Sequence, residues 1–403
     1  MTSRERVAAA LDHKEPDRVP LDLGGTHATG IMGVAYNRFR ARLGLPPGET
    51  RIFDPVQQVA RVESDLLDDI GADFLPVGVE PVNWRDAALP DGSPCLLPEM
   101  WLPRDDGEGG EIIVNPLNND VILRRSPESF HFTIVGPLIR EIDSPRAVDA
   151  YRDFIKIADR PFYYDEKFDS VRARAERLRR ETDRSLVMCF SGHIFAGAQY
   201  IRGFENFYSD LVLDPGFASH LMGTLTDVFI EEFDEFIAAV GHCIDVVQLA
   251  DDLGSQRGPQ ISVEMYRRLV KPHHARLYRH IKSRTDAKIF LHSCGSVHDL
   301  IPDLIEIGLD ILNPVQVSAE KMDTAALKKE FGSELVFWGG GCDTQKVLPF
   351  GTPRQVEDEV KRRIADLAPG GGFVFNQVHN IQCEAPPENI EAMYRAFHEN
   401  CGY

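Results

Sequence analysis

KIFLHSCGSVHDLIPDLIEIGLDILNPVQ, residues 288–316, reads as strand, helix, strand: an apolar run that begins at Lys288, a helical stretch over 297–307 and a second strand over 310–316. A helix between two strands lets the second run parallel to the first, which a tight turn cannot do. The same alternation continues in both directions. Towards the carboxyl terminus come a helix at 323–331, the strand LVFWGGGCD (335–343), a helix at 353–367, the strand GFVFNQVHN (372–380) and a last helix from Pro387 to Glu399. Towards the amino terminus come a helix at 263–282, the strand IDVVQLA (244–250), a helical stretch at 206–240 and the strand LVMCF (186–190). Strands alternating with helices of this length are βα units, and six in series predict a closed (β/α)8 barrel.

The first part of the chain is less regular. A short helix capped by Thr2 or Ser3, a strand RVPLDL (18–23) closed by Gly24-Gly25, a helix ending at Gly71 and a strand ADFLPVGV (72–79) are expected. Between Trp84 and Phe132 the helical period fades, and two alternating segments, Gly110–Asn115 and Asp120–Arg124, predict a hairpin inserted near residues 100–130. Residues 144–182 are polar and helical. No second domain is evident, so residues 1–403 are expected to form one barrel domain.

In such a barrel the chemistry lies at the carboxyl ends of the strands. Those ends carry His193, Asp251 and Asp252, His292 and Cys294, Asn313 and Gln316, Cys342 and Asp343, and Asn376 with His379. On a strand, residues two apart share a face, so His292 and Cys294 can reach one ion, and an imidazole with a thiolate is a donor pair suited to zinc. Cys342 and His379 are the candidates to complete the set, with Cys383 a weaker one. Adjacent Asp251 and Asp252 point to opposite sides, one facing the mouth and the other capping the next turn or pairing with Arg257. With His193 they are the expected catalytic or substrate-contacting groups; Asn313, Gln316 and Asn376 are the expected cofactor contacts.

The chain has 44 basic and 63 acidic side chains and a formal charge of −19, which disfavours nucleic acid and anionic membrane surfaces as partners. Seven cysteines at irregular spacing (95, 189, 243, 294, 342, 383 and 401) are no disulfide framework and suit a reducing cytoplasm. The first twenty residues lack a signal-peptide apolar core, and no stretch approaches the roughly 18 apolar residues of a membrane span.

MTSRERVAAALDHKEPDRVP, the segments from 249 to 316, WGGGCDTQKVLPFGTPRQVEDEV and APGGGFVFNQVHNIQCEAPPENIEAM together resemble the uroporphyrinogen decarboxylase superfamily, most strongly from residue 244 onward. The likeness is closer to its corrinoid-dependent methyltransferase branch. It implies a single barrel, zinc held by His292, Cys294 and a distant third ligand, and methyl transfer between a small-molecule donor or acceptor and a corrinoid (cobalamin) on a partner protein. The position that is cysteine in the coenzyme M enzymes of that branch is His379 here, so the third ligand is changed or relocated to Cys342. A phenolic methyl ether, and hence O-demethylation, is the leading substrate class; a homodimer is compatible with the fold. The decarboxylases carry an arginine-rich segment near the first strand, whereas LDLGGTHATG (21–30) has no arginine. A metal-free decarboxylase acting on a tetrapyrrole is therefore the alternative, and a non-catalytic corrinoid or tetrapyrrole binder a further one.

Overall fold

The computed structural model of the chain describes residues 1–115, 119–158 and 164–403. Seven strands, Phe74–Val77, Ser185–Ser191, Val246–Ala250, Lys288–His292, Ile311–Asn313, Val336–Trp338 and Phe373–Val374, pair in sequence order, each parallel to the one before it. The expected first strand, 18–23, shrinks to a single bridge between Leu21 and Phe375, yet it closes the ring. Phe375 N donates to Pro20 O (2.8 Å) and Asp22 N to Phe375 O (2.9 Å), while on the other edge Asp73 N donates to Leu21 O (2.8 Å). The architecture is thus the predicted α/β barrel, with an eighth staple too short to count as a full strand.

Alternate residues of the strands turn inward, and Phe74, Val187, Val246, Phe290, Ile311, Val336, Trp338 and Val374 fill the bore. Trp338 lies across it, its ring 4.3 Å from that of Phe74 and 5.1 Å from that of Phe290. The helix Ser3–Leu11 plugs the amino-terminal end with Val7 and Leu11, and a Thr2–Glu5 capping box starts it. Each of these large side chains contributes about 1.5–3 kcal/mol by leaving water, so the bore is a packed core and the chemistry is left to its rim.

Several elements differ from the sequence reading for local reasons. The stretch 206–240 belongs to two helices, Phe204–Leu213 and Pro215–Val240, preceded by a third, Ile194–Arg202. They are broken by Gly203 at φ +83° and by Asp214, whose carboxylate accepts from Phe217 N ahead of Pro215. Helix 263–282 contains a π-turn over Tyr266–Val270. The extra residue in that turn brings Tyr266 and His274 onto one face, with the Tyr266 hydroxyl 3.2 Å from His274 Nδ1. The insertion is larger than one hairpin. A two-stranded ribbon, Trp84–Ala88 with Pro94–Pro98, precedes a four-stranded antiparallel sheet running from Arg104 to Ile134 with its own core of Trp101, Ile113 and Phe132. The expected hairpin is its central pair, Glu111–Val114 and Val121–Arg125, whose connecting turn includes 116–118, outside the described residues. Phe132 N donates to Val56 O, so the insertion rests on the loop that leaves the carboxyl end of the first barrel segment.

Ring closure leans on one carboxylate. Asp73 is fully buried; it accepts from Arg6 Nη1 (2.7 Å), Arg18 Nη1 (2.8 Å) and Leu21 N (2.8 Å). Removing one partner from a buried charge network strands the others in low dielectric. Asp73→Ala is expected to lower the unfolding free energy by about 3–5 kcal/mol in a urea titration, and an unchanged midpoint would show that closure does not depend on this group.

Candidate metal centre

Three of the sequence-predicted ligands converge. His292 closes the strand Lys288–His292, Cys294 follows in the loop, and His379 lies beyond the last barrel strand; one donor atom from each falls within 4.8 Å of the other two. His292 Nε2 is 3.4 Å from Cys294 Sγ, and the rings of His292 and His379 meet edge to face at 5.2 Å. Nitrogen and sulfur ligands of tetrahedral zinc, at bond lengths of about 2.0 and 2.3 Å, stand roughly 3.3–3.6 Å apart. The His292–Cys294 pair already has that spacing.

The neighbours decide which atoms are free to bind. Asn313 Nδ2 donates to the Trp338 carbonyl (2.9 Å), an acceptor only, so Asn313 Oδ1 must be the atom facing His292 Nδ1 at 2.6 Å. Nδ1 then carries the hydrogen and Nε2 keeps its lone pair for the cluster. His379 is neutral: burial, and secondarily the adjacent His292, lower its pKa to about 3. Burial, reinforced by the Asp252 carboxylate, pushes the Cys294 thiol well above its ordinary range, so the sulfur holds its proton until a cation takes its place. The loop is pinned around these groups. Asp252 Oδ1 accepts from Cys294 N (2.8 Å), Gln316 Oε1 from Gly295 N (2.7 Å) and Ser293 Oγ from Leu253 N (2.9 Å). Gly295, at φ +88°, has the Gly254 backbone so near that a Cβ would stand 2.6 Å from it.

Other sequence-predicted residues take different positions. Cys342 does not reach the cluster: its thiol is buried against Glu359 Oε2 (3.8 Å), on the helix Pro353–Leu367, where burial and that carboxylate keep it protonated. Cys383 is buried elsewhere and is not part of the set. Asp251, expected as a reacting group, is instead committed to holding the helix Ile194–Arg202. Its oxygens accept from Phe195 N and Ala196 N (both 2.7 Å), and Oδ2 also meets His274 Nε2 at 2.8 Å. Asp252 faces Cys294, while Arg257 is exposed. Asn313 and Gln316, expected to touch a cofactor, serve the ligand loop. Asn376 gives its Nδ2 to Asp22 O and Thr29 O, and its buried Oδ1 is left without a partner. His193 packs against the rings of Tyr200 (5.9 Å) and Phe229 (5.6 Å).

The sequence did not single out a cavity elsewhere on this rim of the barrel. A space of about 150 Å³ opens at the carboxyl end of the strand Ser185–Ser191, lined by His27, Val79, Tyr164, Phe168, Cys189, Phe190, Ser191, His193, Glu232 and Phe236. Asn380, next to His379, binds the His27 loop, accepting from Gly30 N (2.7 Å) and donating to His27 O (3.0 Å), so ligand and cavity wall share one support. The signal was present as Gly24-Gly25 with His27, whose ring chemistry no strand-end pattern marks. Because Asp251 is only 2% exposed and anchors two backbone N–H groups and an imidazole, Asp251→Ala should cost about 3 kcal/mol or more. Thermal unfolding of that variant beside Asp252→Ala, which loses one backbone contact, checks the assignment: the first should be the more damaging.

Residues 134–400 match the family described as uroporphyrinogen decarboxylase (URO-D). A uroporphyrinogen decarboxylase of Anaeromyxobacter dehalogenans is 25% identical over 275 residues, which cover 65% of this chain and 71% of that protein. One of Methylobacillus flagellatus is 39% identical over 71 residues, 18% of this chain and 19% of that protein. Among solved structures, a methyltransferase from Methanosarcina mazei shares the fold, with a TM-score of 0.58 over 99% of both chains at 16% identity. No described helix is long and apolar enough to cross a membrane. With two thirds of its length matched, and with the barrel in place, the chain belongs to the uroporphyrinogen decarboxylase family.

Proposed function

We propose that the protein, residues 1–403 acting as one barrel, is a zinc-assisted methyltransferase that moves a methyl group between a small substrate and a corrinoid carried by a partner protein. The observation that carries this reading is the convergence of His292, Cys294 and His379. Three protein donors with one position open is the arrangement of catalytic zinc, whereas a structural site takes four. The donors suit the ion: two imidazole nitrogens, and a thiol whose proton has a nearby acceptor. When bound, zinc supplies Lewis acidity, polarising a methyl-bearing oxygen or activating a thiol in its open position.

The chain's own groups do the rest. Asn313 holds His292 in the tautomer that presents Nε2. Asp252, fixed by the Cys294 peptide N–H, is placed to accept the Sγ proton as the thiol becomes a thiolate. Asn376, fully buried, ties the backbone at Asp22 and Thr29 together with its amide nitrogen. His193 stands at the cavity wall, where it can orient a guest.

A second reading, a decarboxylase of the kind named for the curated relatives, draws on those names. One feature weighs against it: the segment 21–30 offers no arginine for a polycarboxylate.

Metal analysis on the purified protein separates the readings. About one zinc per chain, lost in Cys294→Ala, together with a change in cobalt absorption when a methyl donor meets a reduced corrinoid protein, is expected. Turnover of uroporphyrinogen by metal-free protein would overturn the proposal. Asn313→Leu, which frees the His292 ring from its orienting partner, should weaken zinc binding by about 10–100-fold in a competitive chelator titration.

A further inference from the structure

Asp22, in the segment that closes the ring, is a carboxylate with no cation beside it. It is fully buried, and among the described residues no lysine or arginine pairs with it. Burial raises its pKa to about 6, against the opposite pull of hydrogen bonds from Thr29, Gly25 and Trp338, so it is ionised at neutral pH. A buried charge without a counter-ion is costly, and the groups it holds are what offset that cost.

It holds two. Oδ1 accepts from Gly25 N (2.8 Å) and Oδ2 from Trp338 Nε1 (2.9 Å). Between Asp22 and the strand Val336–Trp338 runs the last strand, Phe373–Val374, so the carboxylate reaches past one strand to grip the indole. Trp338 is thus fixed at its ring nitrogen by Asp22 and at its carbonyl by Asn313 Nδ2 (2.9 Å), whose Oδ1 faces His292 Nδ1 (2.6 Å). That is the path to the first imidazole.

The path to the second starts from the other oxygen. Gly25 lies so close over the carboxylate that a Cβ there would stand 2.6 Å from Asp22 Oδ1. The turn so made leads to residues 27–30, on which the loop carrying His379 rests. Asn380 Oδ1 accepts from Gly30 N (2.7 Å) and its Nδ2 donates to His27 O (3.0 Å), while Gln377 Nε2 (3.1 Å) and Ile381 N (2.9 Å) both donate to Gly30 O. The backbone of Asp22 is itself held, its N donating to Phe375 O (2.9 Å) and its O accepting from Asn376 Nδ2 (3.0 Å). One carboxylate therefore stands at the root of both supports.

We infer that Asp22 is a positioning residue for the metal centre: it sets the imidazoles of His292 and His379 relative to each other by gripping the Trp338 indole with one oxygen and the turn at 24–30 with the other. The inference rests on the three-donor metal reading. Both groups that Asp22 grips are N–H donors, so the post needs an acceptor at each end. An amide in the same place has one oxygen and one NH2 group, and whichever way it turns a donor meets a donor. The ionised carboxylate serves both.

The test compares Asp22→Asn, Trp338→Phe and the double variant by zinc competition against a chelator, by visible absorption of the cobalt(II)-substituted protein and by thermal unfolding. Asp22→Asn is expected to weaken zinc binding by about tenfold, the low end for loss of an outer partner of a ligand, and to change the cobalt(II) spectrum. Trp338→Phe keeps a ring in the bore but removes the indole N–H, and should give a loss of the same order. In the double variant the amide no longer faces an indole donor, so the losses should not multiply. Unchanged zinc affinity in a folded Asp22→Asn protein, even one that melts lower, leaves Asp22 a structural role only and overturns the inference, as do losses that multiply in the double variant. If Asp22→Asn does not fold, Trp338→Phe decides by the same readout, and an unchanged affinity there overturns the inference too. Wild-type protein that takes up no zinc overturns the inference and the metal reading together. Weaker zinc binding in the variants, with no methyl transfer by the wild type, leaves Asp22 in its role and removes the reaction.

Discussion

One side-chain amide couples the barrel to its chemistry. Asn313 lies at the end of the strand Ile311–Asn313, between the strand that ends in His292 and the strand that ends in Trp338. Its nitrogen is given to a backbone carbonyl of one neighbour and its oxygen to an imidazole of the other. The parallel ladder fixes the spacing of the three strands, so it also fixes the tautomer of His292. A carboxamide is suited to this post because its two ends are chemically distinct: the carbonyl takes the amide N–H, and the oxygen has one remaining place to go. The fold thus sets which ring nitrogen of His292 faces the cluster.

The shell behind the ligands is built from the same βα units, each lending a polar tip to its neighbour. Gln316 holds Gly295, Ser293 holds Leu253, Asp252 holds Cys294, and Asp251 reaches across to the helix Ile194–Arg202. The Asp251 N–H in turn donates to His292 O. Behind Asp251 stands His274, brought to the correct face of its helix by the π-turn, and behind His274 stands Tyr266. Most groups of this web are buried, and for those an unfilled donor or acceptor costs more than its bond contributes. That gives the rim rigidity that three ligands from two separate loops could not supply alone.

Much of this could be read in the sequence. The βα alternation from residue 186 onward is strong because each strand is a short apolar run flanked by helices of ordinary length; the H-x-C pair reads as one strand face, whereas the strand ends at His292 and the pinned loop brings Cys294 to it. What escaped reading depends on distance along the chain. The segment 20–22 closes the ring through bonds to residues 73 and 375, which no local pattern reports. Cys342 looked as eligible as His379 because both lie just past barrel strands. The difference is set by packing: a Cβ at Gly340 would stand 2.7 Å from the Val315 side chain and one at Gly341 2.4 Å from Phe375, so the chain threads inward there and delivers the thiol to Glu359. The Asp251–Asp252 pair reads as sending one carboxylate to the mouth and the other to the next turn or Arg257; Asp251 instead holds the helix Ile194–Arg202, a partner distant in sequence.

Burial favours the uncharged form of four groups at this rim and still leaves room for chemistry. It keeps His379 and His27 unprotonated and keeps Cys294 and Cys189 protonated. Such groups give no purchase to a free cation except where several donors meet. At His292, Cys294 and His379 they do meet, and there the cost of forming a thiolate is offset by the ion it coordinates. At Cys189 there is no such cluster among the described residues, and the thiol stays a wall. Two cysteines of similar burial therefore have opposite uses, and the difference is the company of two imidazoles.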